Sequence, residues 1–218
     1  MAFTSKKATR LIVLAALSAA AALPAEIRFE ARYKKRPGTV TVDDRAISFQ
    51  GLKKDSWRWT YPDIDELKLG EHSVSVTAGR TYEFRGDIPS AVYDLWKDRL
   101  DQRFVAELAD RAVQPDWRIA VRHRIRRTTA DGMLEFGRDR IVFASSWPDD
   151  SRTWRISDIE NISSSGPFEL TIVTFERARF DYGDRKQFTF RLKEALSEAR
   201  YDDLWLKINR QNRRIQIP

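Results

Sequence analysis

Cysteine is absent from this 218-residue chain, and histidine is scarce, with two residues. The lack of cysteine excludes a disulfide framework, thiolate metal sites and a cysteine nucleophile. The two histidines, His72 and His123, lie far apart in unrelated sequence contexts, and no zinc-protease, P-loop or nucleophile-elbow motif is present. We therefore expect no cofactor, no metal site and no enzymatic activity.

Carboxylates are plentiful, with 32 aspartates and glutamates. Adjacent acids occur at three places: Asp65 with Glu66, Asp149 with Asp150, and Asp202 with Asp203. A hydrolase that uses paired carboxylates is therefore the enzymatic alternative, although adjacent acids usually face water and nothing selects one pair.

Long hydrophobic runs are also missing, apart from one near the N-terminus. The apolar run from Leu11 to Leu23 follows Lys6, Lys7 and Arg10 and ends among small residues. It is shorter than the roughly 20 residues that a membrane-spanning helix needs, and the pattern is typical of a secretory signal peptide. We predict that residues 1–25 are a signal peptide and that the protein is exported, to a bacterial periplasm or the medium.

The excess of positive charge is modest. The formal net charge is +7, and subtracting the three basic residues of the signal peptide leaves +4 for the rest. This surplus is compatible with an anionic partner but does not require one. Export and the lack of a recognition motif argue against nucleic acid.

What the chain does contain is a repeat. The phrase SWRWTYPDIDEL begins at Ser56, and SRTWRISDIENI begins at Ser151. Three further pairs of segments keep the same order: 38–49 with 132–143, 81–85 with 187–191, and 91–100 with 199–208. Repeated order predicts two related modules. We place them at residues 26–114 and 115–218.

Alternating apolar residues predict short strands in both modules, and Trp57 and Trp59 fall two apart on one of them. We match these tryptophans to Trp154 and Ile156 and expect them in the core or on a half-buried sheet face. A binding platform is the functional alternative.

Each module ends in an amphipathic pattern that predicts a helix. In the first module the apolar spacing extends the predicted helix to Ala112, just before Pro115. We expect Trp96 and Trp205 to turn inward from the two helices and plug the ends of their modules.

About seven strands followed by a helix resemble the pleckstrin-homology-like (PH-like) fold, specifically its bacterial PH-like and GRAM-like members. The resemblance rests on GTVTVDDRAISF, WRWTYPDIDEL and YEFRGDIPSAVYDLW, with their second-copy partners. It implies a mainly β protein with some helix, in which two tandem modules each form a bent antiparallel barrel or sandwich capped by a C-terminal helix. A fold shared by many functions does not identify this one.

In many PH domains, the loop between the first two strands holds basic residues that grip phosphoinositide headgroups. Basic clusters lie near this loop in both copies, and arginine and lysine suit phosphate. The resemblance makes six residues candidate anion or lipid contacts by position: Lys34, Lys35, Arg36, Arg124, Arg126 and Arg127. The alternative is that these are ordinary solvent-facing positions of strands.

The leading functional expectation is a non-enzymatic, exported scaffold that contacts a protein partner. The alternative, from a different class, is peripheral binding to anionic membrane lipid through the basic loops between the first two strands of each module.

Overall fold

The computed structural model describes residues 26–52, 55–125, 128–178 and 185–215. Within these ranges the chain is mainly β, with fifteen strands and two α-helices, which confirms the predicted class. The predicted signal peptide and the candidates Arg126 and Arg127 lie outside the described residues.

The first half of the molecule comprises seven strands and a helix. They are β1 (Ile27–Tyr33), β2 (Arg36–Val42), β3 (Ala46–Gly51), β4 (Ser56–Thr60), β5 (Glu66–Gly70), β6 (Ser73–Ala78), β7 (Arg80–Arg85) and α1 (Ser90–Trp96). A connecting strand, β8 (Phe104–Glu107), follows.

The second half repeats this order of elements. It comprises β9 (Trp117–Ile125), β10 (Thr128–Phe136), β11 (Arg140–Ser145), β12 (Arg152–Arg155), β13 (Ile159–Ser163), β14 (Glu169–Arg177), β15 (Arg185–Leu192) and α2 (Glu198–Ile215).

The two halves also share one strand order within the sheet. The first half reads β5-β6-β7-β1-β2-β3-β4, and the second reads β13-β14-β15-β9-β10-β11-β12. The prediction of two modules did not anticipate that hydrogen bonds would join them. Strand β8 pairs with β5 in parallel and with β12 antiparallel, so the described strands form one continuous sheet.

The hydrophobic core, by contrast, is divided. One buried cluster is formed by the first half together with Phe104 and Ala106 of β8, and a separate cluster is formed by the second half. Alternation explains the clusters, since Val40 and Val42 are buried in β2 while the threonine between them is only partly buried.

Register corrects the matching of the tryptophans. Trp59 lies opposite Ile47, and Trp154 lies opposite Ile141 in the corresponding hairpin. Trp154 is therefore the counterpart of Trp59, and the match to Trp57 is wrong by two residues. Trp57 and Trp59 are half-buried on the sheet face, as expected.

Trp96 plugs the first half as predicted. It is 0% exposed, its Nε1–H donates to the Tyr61 hydroxyl at 2.8 Å, and its ring meets Phe104 edge-on at 5.8 Å. The indole thus fills the core and satisfies its one donor.

The same prediction is wrong for Trp205, which is 40% exposed. In α1, Tyr93 and Trp96 are three residues apart, whereas in α2 the matched Tyr201 and Trp205 are four apart because the second copy has one more aspartate. One extra residue rotates a side chain by about 100° around a helix. Leu204 therefore takes the buried position.

The predicted extension of the first helix to residue 112 is also wrong. Helix α1 ends at Trp96, and Phe104, Val105 and Ala106 belong to β8, where all three are buried. Consecutive buried residues are typical of a strand covered on both faces, and this pattern overrides the helical spacing.

A buried ionic cluster joins the two halves. Arg140 of β11 donates to Asp110 at 3.3 Å and also to Asp98, and the Tyr93 hydroxyl donates to Asp110 at 2.9 Å. Arg140 and Asp110 are both buried, so the second half is attached to the first by paired charges inside the protein.

Candidate functional site

The tip of the β1–β2 hairpin is formed by two of the candidate residues. Lys34 and Lys35 are its two loop residues, between the paired Tyr33 and Arg36. Both lysines have positive φ, at 47° and 69°. Two-residue hairpin turns of this kind favour Asn-Gly, because a left-handed backbone is energetically unfavourable for most other residues. The fold therefore holds Lys34 and Lys35, whose side chains are exposed, in a backbone conformation that lysine disfavours.

A surface cavity of about 330 Å³ opens beside this tip. It is bordered by the β1–β2, β3–β4 and β6–β7 hairpins, which contribute six lining residues: Tyr33, Lys34, Arg36, Asp55, Trp57 and Arg80. Three hairpins that are separate in sequence thus meet at one cavity, and two of them, β1–β2 and β6–β7, contribute the cations that line it. Arg80 was not among the predicted candidates, because only the three-dimensional meeting of the hairpins identifies it.

Aromatic rings support the cavity from below. The Tyr33 and Trp57 rings meet edge-on at 4.9 Å, and Trp57 stacks on Trp59 at 6.3 Å. Tyr82 packs against both indoles, at 5.1 and 4.7 Å. Two of the cations lie over these rings: Lys34 Nζ is 5.3 Å from the centre of the Tyr33 ring, and the Arg80 guanidinium carbon is 4.6 Å from the centre of the Tyr82 ring.

The cations of the cavity differ in their partners. Arg36 forms an ion pair with Asp55 at 2.8 Å, and this hydrogen bond, with the charge of Asp55, raises the pKa of Arg36. Arg80 donates to the Tyr82 hydroxyl at 2.6 Å, and its pKa is also raised, mainly by this bond. Among the described residues, none of Lys34, Lys35 and Arg80 forms an ion pair with a carboxylate. These three charges remain available to an anion.

One of the three hairpins that border the cavity also carries an exposed apolar side chain. Leu52, in the β3–β4 hairpin, is 64% exposed, and its carbonyl accepts the Asp55 N–H at 3.4 Å. Lys53 and Lys54 follow it in sequence but lie outside the described residues. The hairpin end of the first half thus offers positive charge and an exposed leucine together.

The second half places its candidate residues differently. Arg124 is exposed on β9, opposite Thr129, at the matching hairpin. His123 occupies the position of Tyr33, since each pairs with a phenylalanine of the last strand. Its Nδ1–H donates to the Thr189 carbonyl at 2.9 Å, and burial lowers the pKa of His123.

The structure does not bring the two basic hairpins together. Strand β8 runs parallel to β5 but antiparallel to β12, so equivalent hairpins on the two sides of the junction point in opposite directions. Consistent with this, Asp149 from the β11–β12 hairpin lines the same groove as Glu71 and His72, from the opposite end of the first half. The described basic residues of the two hairpins therefore lie on strands that run in opposite directions from the junction.

That groove has a volume of about 880 Å³. Of the three predicted acid pairs, only Asp149 lines it. Glu66 instead forms an ion pair with Lys68, and Asp65 accepts the Gly79 N–H. Within the described ranges, no three histidine or carboxylate side chains are arranged to hold a metal ion.

No helix among the described residues is both long and apolar enough to cross a membrane. No protein-family model matches the chain, and no curated protein matches it in sequence. Among solved structures, the chain is similar to one described as "Structure of the Spt16D Pob3N heterodimer", with 14% sequence identity and a TM-score of 0.30 over 69% of this chain and 83% of that chain.

Proposed function

We propose that the protein is a non-enzymatic, exported protein of two tandem PH-like modules that binds anionic membrane surfaces peripherally through the hairpin end of its first half. The repeated strand order, with a helix after each set of seven strands, supports the two modules. The observation that carries the binding surface is the pair of lysines held at positive φ at the β1–β2 tip, of which Lys34 lines the cavity. Strained backbone of this kind is concentrated at functional sites.

The energetics suit reversible attachment. Each cation near an anionic leaflet contributes about 1 kcal/mol, so Lys34, Lys35 and Arg80 together contribute about 3 kcal/mol. Burial of the Leu52 side chain in the interface adds about 2 kcal/mol. The charge contribution falls with salt, because the screening length is about 10 Å at 0.1 M ionic strength.

Vesicle co-sedimentation tests the proposal, using phosphatidylcholine vesicles with and without phosphatidylglycerol. Replacing Lys34, Lys35 and Arg80 by alanine is expected to weaken binding to anionic vesicles about a hundredfold. The matched control replaces Arg28, Arg45 and Arg85, exposed arginines toward the other end of the first half, and removes the same net charge. Equal losses in both triple variants, or binding that salt does not weaken, would contradict the site.

The exposed leucine distinguishes a membrane from a soluble phosphate compound. Leu52→Ser is expected to weaken vesicle binding about thirtyfold without changing the salt dependence, since it removes apolar burial and no charge. Phe168→Ser is the control, because Phe168 is exposed on a different hairpin. Unchanged vesicle binding by Leu52→Ser would mean that the surface binds anions without inserting into lipid.

Protein contact is the second candidate function, and a different surface favours it. The outer edge of β4 has no strand partner among the described residues, whereas the edge of the corresponding strand β12 is paired. An unpaired sheet edge suits an extended segment of another protein.

A further inference from the structure

No described strand pairs with the outer edge of β4. The Gly51 N–H donates to the Asp55 carbonyl at 2.7 Å, which fixes which residues of this hairpin face each other. Because hydrogen bonding alternates along an antiparallel pair, Trp57 and Trp59 also direct their backbone groups toward β3. The backbone groups that face away from β3 belong to Ser56, Arg58 and Thr60.

The second half shows what this edge can bind. Thr153 of β12, the counterpart of Arg58, pairs across the outer edge with Ala106 of β8. Strand β8 is therefore a strand docked antiparallel on the edge that β4 leaves open.

Side chains fix β8 at this edge. Arg152 donates to Glu107 at 2.5 Å, and the Thr153 hydroxyl donates to the Leu108 carbonyl at 2.8 Å. Beside this docked strand, Trp154 is 2% exposed, whereas its counterpart Trp59 on the open edge is only half-buried. The docked strand thus combines backbone pairing, an acid–arginine pair and a covered indole.

We propose that the outer edge of β4 binds an extended segment of a partner protein, antiparallel to β4, with an acidic residue opposite Arg58. The Arg58 side chain is exposed and has one carboxylate partner, Asp43, at 3.3 Å. A cation in the middle of an open edge selects an acid on the incoming strand, since opposite charges stabilise cross-strand pairs.

Charge also argues against a second copy as the occupant. Two β4 strands related by a two-fold axis would place Arg58 close to Arg58 of the other copy, and like charges facing each other across strands are destabilising. The partner is therefore a different chain, whose acid replaces the role that Glu107 plays for Arg152 in the second half.

A peptide that contains the β8 sequence is the probe. We would label a peptide of residues 103–110 that carries Ala106→Glu, which puts an acid opposite Arg58, and measure its binding to the whole protein by fluorescence anisotropy. We expect saturable binding, loss of binding with Arg58→Pro, and about a fivefold to tenfold loss with Arg58→Glu. A peptide with Ala106→Lys should recover affinity for Arg58→Glu.

The substitutions at Arg58 are compatible with the fold of β4. Proline at position 58 removes only an N–H that faces away from β3, and edge strands tolerate proline at such positions. Circular dichroism checks that each variant is folded. If Arg58→Pro does not fold, the test rests on Arg58→Glu and on whether the Ala106→Lys peptide recovers affinity for it. The absence of saturable binding, binding that neither variant weakens, or self-association that Arg58→Pro abolishes would overturn the proposal. Vesicle binding is measured separately and does not depend on this edge.

Discussion

If the proposed binding surface is right, the lysines at the tip of the β1–β2 hairpin favour binding at the expense of stability. Replacing Lys34 by Asn and Lys35 by Gly supplies the pair that this turn prefers, so we expect the free energy of unfolding to rise by about 1–2 kcal/mol. The same change removes two cations and is expected to weaken binding to anionic vesicles. Urea unfolding and co-sedimentation of one preparation test both effects. A variant that is no more stable would show that the lysines carry no strain.

His123 makes stability depend on pH. Its ring is partly buried 4.7 Å from Phe190, and burial lowers its folded pKa below the ordinary 6.5. As the pH falls through 6.5, the unfolded chain takes up a proton that the folded chain resists, so stability falls. His123→Tyr, which supplies the residue found at this position in the first half, should remove that part of the pH dependence. The two unfolding free energies, compared from pH 7.5 to 5, isolate the histidine, and parallel curves would contradict the prediction.

At the scale of elements, local pattern predicts most strands and misses what depends on position in the whole sheet. Alternation in β2 predicts a half-buried strand, and the burial of Val40 and Val42 agrees. The pattern from Phe104 to Leu108 also fits a helix, and only the two neighbouring strands decide in favour of β8. Local spacing cannot show which edges a segment will pair with.

The candidate site divides in the same way. The position of Lys34 and Lys35 between the first two strands was predictable, because a hairpin is a local structure. Arg80 lies on another hairpin, and its place at the same cavity depends on how the sheet curves. In α2, a single extra residue reversed which of Leu204 and Trp205 is buried, a distinction that i, i+3 and i, i+4 spacing does not make.

At the scale of the molecule, β8 and the side chains around it join the two repeated halves through hydrogen bonds and ion pairs. Strand β8 supplies backbone pairing on both of its sides, and Arg155 adds hydrogen bonds to the carbonyls of Leu100 and Asp101. Opposite strand directions across β8 leave each basic hairpin at its own end.

Arg140 is expected to decide whether the halves unfold together. Removing the Arg140 side chain leaves the Asp110 carboxylate buried without its cation. Breaking a buried ion pair in this way destabilises a protein by about 3–5 kcal/mol, and here the destabilisation acts on the contact between the two halves. Because strand pairing and a buried ion pair join the halves, we expect one calorimetric transition for the wild type. We expect two for Arg140→Ala, because each half keeps its own core. Arg138→Ala, at an exposed arginine two residues away, should change stability by less than about 0.5 kcal/mol. A single, unshifted transition in Arg140→Ala would show that β8 alone couples the halves.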